Sequence, residues 1–142
     1  MQKGFDYIGV GITFTCHDGN GKILFAKRGA GARDEHGTWE IAGGGLKFGE
    51  TLVDGVLREL KEEFNVEAEA YKFVGYHDLI REQAERKTHW VMLDFVIKVN
   101  PEKVQIGEPH KCEAIAWHTI NTLPQPLHPG VVATLENVKS HI

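Results

Sequence analysis

The chain has 142 residues, of which 42% are hydrophobic and 25% are charged, and its formal net charge is −4. This length and composition predict one globular domain over residues 1–142, with a buried core of its own. No apolar run is long enough to cross a membrane, and the acidic balance argues against polymeric nucleic acid as a partner.

Strands and a glycine-rich segment are predicted for the first third of the chain. Residues 7–18 and 23–27 show the alternating, β-branched pattern of strands, and the turn residues at 18–22 predict a hairpin between them. Residues 28–37 are predicted to form a flexible, glycine-rich loop. Residues 38–49 then lead through a short strand into a cluster of glycines.

The residues after the central helix predict more strands and a second helix. Residues 68–79 and 88–99 have strand patterns, and the polar residues 80–87 between them predict a loop or a hairpin end. The remaining segments are, in order, a loop, a strand, a proline-rich turn and a helix, at 100–111, 112–120, 121–130 and 131–142. This order predicts an α/β (α+β) fold with helices packed on a mixed sheet.

The central helix, predicted over Leu52–Phe64, carries a concentrated group of acids. Thr51 is a suitable N-cap, and Asp54 three residues later supports it. Three carboxylates fall on one arc that is separate from the apolar face: Glu59, Glu62 and Glu63. Taken alone, the arc is an ordinary solvated helix face, but clustered carboxylates also suit a divalent metal such as Mg²⁺.

The glycines before this helix favour the metal interpretation. Gly43, Gly44 and Gly45 allow the backbone to approach a ligand closely. A glycine-rich turn followed by a polyacidic helix can hold phosphates and a metal ion together. We therefore interpret the two elements as parts of one site.

The stretch from Gly44 to Val66 resembles the Nudix hydrolase signature, G-x5-E-x7-R-E-U-x-E-E-x-G-U, in which U is aliphatic. Gly44, Glu50 and the run "RELKEEFNV" at 58–66 occupy its positions, except that Asn65 stands where the signature has its final glycine. Asn is the next-best residue for a left-handed helix end, so the exchange is conservative. The resemblance implies an α/β/α sandwich that hydrolyses a nucleoside diphosphate linked to another group.

The resemblance also implies roles for individual residues. The implied ligands of Mg²⁺ or Mn²⁺ are the carboxylates of Glu59, Glu62 and Glu63 and the carbonyl of Gly43. Arg58 would orient a glutamate, and Glu50 would support the loop–helix geometry. Glu62 or Glu63 is the favoured general base, and a base from outside the signature, as in some members of the family, is the alternative.

The flanking segments are similar to those of MutT-like nucleoside triphosphate pyrophosphatases. "GTWEIAGG" at 37–44 resembles the segment GxWxxPGG of that branch, with Ala42 in place of the proline. The segment 108–124 resembles a second region of the branch, which would make Glu108 an extra acid at the metal and Trp117 a shelf for a purine base. A plain loop acid and a core aromatic are the respective alternatives for these two residues.

The glycine loop would contact the substrate through Gly44 and Gly45. Arg28, before the signature, is a candidate contact to phosphate or base, and a solvated loop cation is the alternative. The eight histidines do not show zinc-ligand spacing, and none is singled out for a role.

The expected function is Mg²⁺-dependent hydrolysis of a nucleoside triphosphate, native or modified, to the monophosphate and pyrophosphate. An ADP-ribose or nucleotide-sugar pyrophosphatase is the enzymatic alternative, and a non-catalytic nucleotide-binding module is the alternative of another class. Cys16 and Cys112 lie in strand-like runs, and the first residues do not resemble a secretion signal. These features predict reduced thiols in the cytoplasm, with a monomer and a homodimer both open.

Overall fold

A computed structural model describes the backbone of residues 1–142 and every side chain except that of Gln83. The strands are β1 Gly9–His17, β2 Ile23–Arg28, β3 Trp39–Glu40, β4 Gly43–Gly45, β5 Ala70–Gln83, β6 Arg86–Lys98 and β7 Cys112–His118. The helices are α1 Leu52–Phe64 and α2 Val131–Val138. Short 3₁₀ turns occupy Pro101–Lys103, Ile120–Thr122 and Lys139–His141.

The sheet is mixed, as the order of elements predicts. β1 and β6 run parallel along their whole common length, from the pair Gly9 and Trp90 to the pair His17 and Lys98. β5 is antiparallel to β6, and β4 is antiparallel to the other edge of β1, so β4, β1, β6 and β5 are neighbours in that order. β2 pairs with β3 and with β7, both antiparallel.

The structure differs from the sequence prediction at two places and decides between two alternatives at a third. The hairpin of β1 and β2 is reduced to the pair His17 and Ile23, because β4 and β6 occupy the edges of β1. Of the two alternatives predicted for residues 80–87, the structure shows the hairpin end: β5 and β6 meet at Ala84 and Glu85, whose φ angles of 49° and 64° suit a tight two-residue turn. The last helix stops at Val138, and a 3₁₀ turn follows it.

The ends of α1 are formed as its sequence predicts. The Thr51 side chain accepts a hydrogen bond from the backbone N–H of Asp54 at 3.2 Å. Asn65 closes the helix in the left-handed conformation, with φ 49° and ψ 40°. The departure from glycine at this position therefore preserves the helix end that the signature requires.

The two helices cover opposite faces of the sheet. Apolar residues of α1, including Leu60 and Phe64, pack with Ile12, Phe14 and Ile97. The strand residues whose side chains point to the opposite face form the second core cluster together with α2. Its members include Ile23, Phe25, Val96, Val131, Leu135 and Val138. Because side chains alternate across a strand, these clusters lie on the two sides of the sheet, which gives the predicted α/β/α sandwich.

Trp117 packs against the first of these two core clusters. This residue pairs with Leu24 across β7 and β2, and it is partly buried against the α1 side of the core. This packing agrees with the core alternative for Trp117, and its role as a shelf for a purine base stays a prediction. Over the described part of the chain, no helix combines the length and the hydrophobicity needed to span a membrane.

Candidate active site

A cleft of about 630 Å³ opens where α1, β4, the loop after β2 and the start of α2 meet. Its lining includes the three box glutamates, the glycines of β4 and the side chains of Arg28 and Glu108. Residues that the sequence places up to 80 positions apart are therefore brought to one surface. Trp117 is not among the described residues that line it.

Arg58 is the central cation of this region. Its Nε and Nη2 donate to the two carboxylate oxygens of Glu50 at 2.7 and 2.9 Å. Its Nη1 donates to Glu59 at 2.9 Å and to Glu62 at 3.2 Å, and its Nη2 also donates to the carbonyl of Gly45 at 3.0 Å. One guanidinium thus joins the helix to the glycine strand, and its planar fork uses all three of its nitrogens.

Glu50 fixes the loop between β4 and α1. It accepts two hydrogen bonds from Arg58 and a third, at 3.0 Å, from the backbone N–H of Lys47. These donors lower the pKa of Glu50 to about 2, with the Arg58 hydrogen bonds as the largest cause. Glu50 therefore stays ionised and acts as a support for Arg58, as the sequence predicts.

Glu63 has a different environment from the other box glutamates. Its Oε2 is buried and has no hydrogen-bond partner among the described residues. Burial raises the pKa of Glu63 well above its usual range, and the neighbouring carboxylates Glu59, Glu40 and Glu108 raise it further. Glu62 is held by Arg58 but is more open, with 45% of its side chain exposed.

Glu40 is a member of this acidic cluster that the sequence analysis missed. It lies on the two-residue strand β3, it lines the cleft, and its charge raises the pKa of Glu63. Arg28 donates from Nη1 to both oxygens of Glu40 at 2.9 Å and also contacts Asp34. Arg28 is therefore a paired cation that orients Glu40, rather than a solvated loop cation.

Glu108 reaches the cluster because its loop packs on the end of α1. The N–H of Gly107 donates to the carbonyl of Glu63 at 2.8 Å. A β-carbon on Gly107 would lie 2.1 Å from the carbonyl oxygen of Glu62, so this approach requires glycine. The loop thereby places the Glu108 carboxylate beside Glu59 and Glu63, whose pKa values it raises.

The donor set suits a divalent cation, although it is not gathered around one. Among the described side chains, no three His, Cys, Asp or Glu residues are already arranged to hold a metal ion. Arg58 draws Glu59 and Glu62 towards itself instead. The site nevertheless has an excess of negative charge. Glu63 has a buried oxygen without a partner among the described residues, and the pKa values of Glu59 and Glu63 are raised.

A second polar cluster lies beneath the cleft wall and joins β1, β5, β6 and α2, with Thr13 and His77 reaching the cleft itself. Asp94 is fully buried and accepts hydrogen bonds from Thr13 at 2.5 Å, from His77 Nδ1 at 2.8 Å and from Asn137 at 2.7 Å. The sequence analysis did not identify these residues. A usable signal was present, because Asp94 is the one acid within the apolar run "WVMLDFVI".

His128 forms the turn that leads into α2. Its Nδ1 accepts a hydrogen bond from the N–H of Gly130 at 3.0 Å. Burial lowers the pKa of His128 to about 4, and the charges of Arg28 and Arg81 lower it further. The folded protein therefore holds this ring in its neutral form at physiological pH.

We expect His128 to make stability depend on pH. Between about pH 6.5 and pH 4 the unfolded chain binds more protons at this position than the folded chain, so the stability falls as the pH falls through this window. After allowance for solvent screening, the loss is on the order of 1–2 kcal/mol. Urea unfolding at pH 7 and pH 4.5 measures it. His128→Asn, whose side-chain oxygen can still accept from Gly130, is the control, and an equal pH dependence in both proteins would contradict the assignment.

A NUDIX domain model matches residues 8–138. A CTP pyrophosphohydrolase of Escherichia coli (strain K12) is 33% identical over 121 residues, which cover 82% of each chain. An RNA pyrophosphohydrolase of Acinetobacter baylyi is 25% identical over 113 residues, covering 69% of this chain and 65% of that protein.

Solved structures show the same architecture. The crystal structure of a MutT NUDIX hydrolase from Burkholderia pseudomallei superimposes with a TM-score of 0.82 at 28% identity, and it covers 94% of this chain and 99% of that one. The NUDIX domain of Shewanella oneidensis NrtR, in complex with ADP ribose, gives a TM-score of 0.74 at 18% identity, covering 96% of this chain and 90% of that chain. The second likeness concerns the fold alone.

Proposed function

The chain belongs to the MutT-like branch of the NUDIX hydrolases, and from this premise we propose that it hydrolyses a nucleoside triphosphate to the monophosphate and pyrophosphate with the help of Mg²⁺ or Mn²⁺. The observation that carries the proposal is the acidic cluster around Glu63, placed directly beside the glycines of β4. Such a cluster is strongly unfavourable without a cation, and cations also attract phosphates.

The residues of the cleft fit the cation by their chemistry. The carboxylates that would hold it are those of Glu59, Glu62 and Glu63, with Glu108 beside them and the carbonyl of Gly43 at the end of the glycine strand. A bound divalent cation supplies a water of lowered pKa and neutralises phosphate oxygens during an in-line displacement. A cation bound here would give the buried Oε2 of Glu63 the partner that it lacks among the described residues.

The protein's own groups would accept the proton, position the glutamates and contact the phosphates. Glu62 and Glu63 are the candidates for accepting the proton of the attacking water. Arg58, anchored by the ionised Glu50, keeps Glu59 and Glu62 at the mouth of the cleft. Gly44 and Gly45 present backbone without side chains to the phosphates.

The relatives support a nucleotide with a free phosphate chain as the substrate. The Escherichia coli relative is named for CTP and the Acinetobacter baylyi relative for RNA pyrophosphohydrolysis. Both names describe hydrolysis of a pyrophosphate bond, and the first names a nucleoside triphosphate. ADP-ribose stays in the set of compounds to test, because an ADP-ribose pyrophosphatase is the enzymatic alternative left open by the sequence.

A substrate panel tests the proposal directly. The purified protein is incubated with Mg²⁺ or Mn²⁺ and with ribo- and deoxyribonucleoside triphosphates, ADP-ribose, nucleotide sugars and dinucleoside polyphosphates. We expect pyrophosphate release from triphosphates and no turnover after addition of EDTA. Higher kcat/KM for ADP-ribose or a nucleotide sugar would replace the substrate assignment, and tight nucleotide binding without any turnover would favour a non-catalytic module.

The same proposal includes a small-molecule partner and a cytoplasmic location. The protein acts on nucleotides rather than on polymeric nucleic acid, as a monomer or a homodimer. Its cysteines support a reducing compartment, since Cys16 is a free thiol buried in the core and Cys112 is a half-buried free thiol. Burial raises the pKa of the Cys16 thiol, which makes it unreactive.

A further inference from the structure

A trough crosses the sheet on the side of α2 and leads away from the glycine strand. Gly45 of β4 lies opposite Gly11 of β1, Gly11 lies opposite Met92 of β6, and Met92 lies opposite His77 of β5. Residues opposite each other on neighbouring strands point to the same face, and these four all line the cleft. At about 4.8 Å per strand, the row is about 14 Å long.

The middle of this trough is formed by Gly11 and the apolar side chain of Met92. A β-carbon on Gly11 would lie 2.9 Å from both Sδ and Cε of Met92, so only glycine allows the Met92 side chain to lie across β1. The thioether of methionine is polarizable and makes favourable contacts with aromatic rings. A flat aromatic group can therefore rest on Met92 once its phosphates are held at the glycine strand.

His77 closes the far end of the trough, and its orientation is fixed. Only 10% of its side chain is exposed. When Asp94 is a carboxylate it only accepts hydrogen bonds, and the 2.8 Å contact then places a proton on His77 Nδ1. Thr13 and Asn137 hold the same carboxylate from two other elements, which prevents it from turning away.

This hydrogen bond determines what the ring offers to a ligand. In the neutral imidazole, a proton on Nδ1 leaves the lone pair on Nε2. Within the described residues, no hydrogen bond uses His77 Nε2. With the ring neutral, Nε2 is a fixed acceptor in the cleft that has no partner among the described residues, whereas an imidazolium would donate from the same atom.

On the basis of the proposed function, we propose that His77 Nε2 accepts a hydrogen bond from an exocyclic amino group of the substrate's base, so that the enzyme prefers bases with an amino group over their keto counterparts. Cytosine and adenine carry an N–H₂ group at the position where uracil and hypoxanthine carry a carbonyl oxygen. A carbonyl oxygen would face the Nε2 lone pair without a proton between them. Asp94 is then a positioning residue, acting through His77.

Matched nucleotide pairs test this inference. CTP is compared with UTP, and ATP with ITP, because the members of each pair differ in the amino or keto group. We expect kcat/KM to favour the amino member by about three- to tenfold, the value of one hydrogen bond. His77→Asn keeps a donor for Asp94 but lacks the Nε2 atom, so it should bring both ratios to within about twofold of one. The melting temperature of this variant should stay near the native value.

A second histidine and a binding measurement make the test decisive. His89→Asn, on β6 outside the cleft, should keep the native ratios. Calorimetric binding of the α,β-methylene analogues of CTP and UTP gives the same comparison without turnover. If the native protein hydrolyses no triphosphate, the proposed function is wrong. The ratio of the affinities for the CTP and UTP analogues still tests the role of His77. Equal affinity for both analogues, a keto preference, or a native ratio retained by His77→Asn would overturn the inference.

Discussion

Replacing Glu63 with Gln is expected to reduce metal-dependent turnover by at least about 10³-fold while leaving the protein as stable as before or more stable. The side chain keeps its shape, but it loses the charge that holds a cation or accepts a proton. In the metal-free protein this charge is unfavourable, because it is buried, its Oε2 has no partner, and Glu59, Glu40 and Glu108 face it. Activity and stability should therefore change in opposite directions.

The measurement pairs kinetics with thermal unfolding. Turnover of the best triphosphate is followed with Mg²⁺ and with Mn²⁺, and melting temperatures are recorded with and without metal. The native protein should gain stability from the metal through binding to the folded state, and Glu63→Gln should gain less. Glu67→Gln is the control, since Glu67 follows the same helix and 87% of its side chain is exposed. Near-native turnover in Glu63→Gln would remove Glu63 from the site.

The parts of the site that are close in sequence could be predicted well. The helix Leu52–Phe64, its Thr51 cap and its left-handed end at Asn65 follow from local spacing and local hydrogen bonds. The pairing of Arg58 with the glutamates also needs only one helix and one adjoining loop. The resemblance supplied the roles, and local geometry supplied the positions.

The parts that depend on the sheet could not be predicted in this way. Glu40 joins the acidic cluster because β3 pairs with β2, and Asp94 reaches His77 because β5 and β6 pair in one register. Strand pairing over a long sequence separation is not encoded in local periodicity. The alternating pattern of β7 likewise did not show which face of the sheet Trp117 lies on. The pairing of β7 with β2 places this side chain against the core.

The hairpin prediction was confirmed only in part, for a related reason. A turn sequence between two strands predicts that they pair, and here β1 and β2 do meet, but at the single pair His17 and Ile23. The parallel partner β6 and the short strand β4 occupy the edges of β1. This exchange has a functional consequence, because it places the glycines of β4 beside β1 and so creates the start of the trough.

Gly44→Ala is expected to weaken metal binding by about 10- to 100-fold and to reduce turnover similarly, with little loss of stability. A β-carbon at this position would lie 2.3 Å from Cδ of Glu59 and 2.5 and 2.6 Å from its carboxylate oxygens. Glu59 cannot simply swing aside, because Arg58 holds its Oε1 at 2.9 Å. The strand itself should tolerate alanine, since its backbone has no left-handed φ at Gly44.

The neighbouring glycine provides a matched control for this prediction. A β-carbon on Gly45 would meet only Lys3 Nζ within the described structure, at an ordinary distance of 3.8 Å. Mn²⁺ titration by calorimetry should therefore show near-native affinity for Gly45→Ala and reduced affinity for Gly44→Ala. If both variants bind Mn²⁺ equally, the Glu59 carboxylate does not hold the cation at the position where it contacts Gly44. If only Gly44→Ala is impaired, the glycine of the signature is explained by the space that one metal-binding carboxylate occupies.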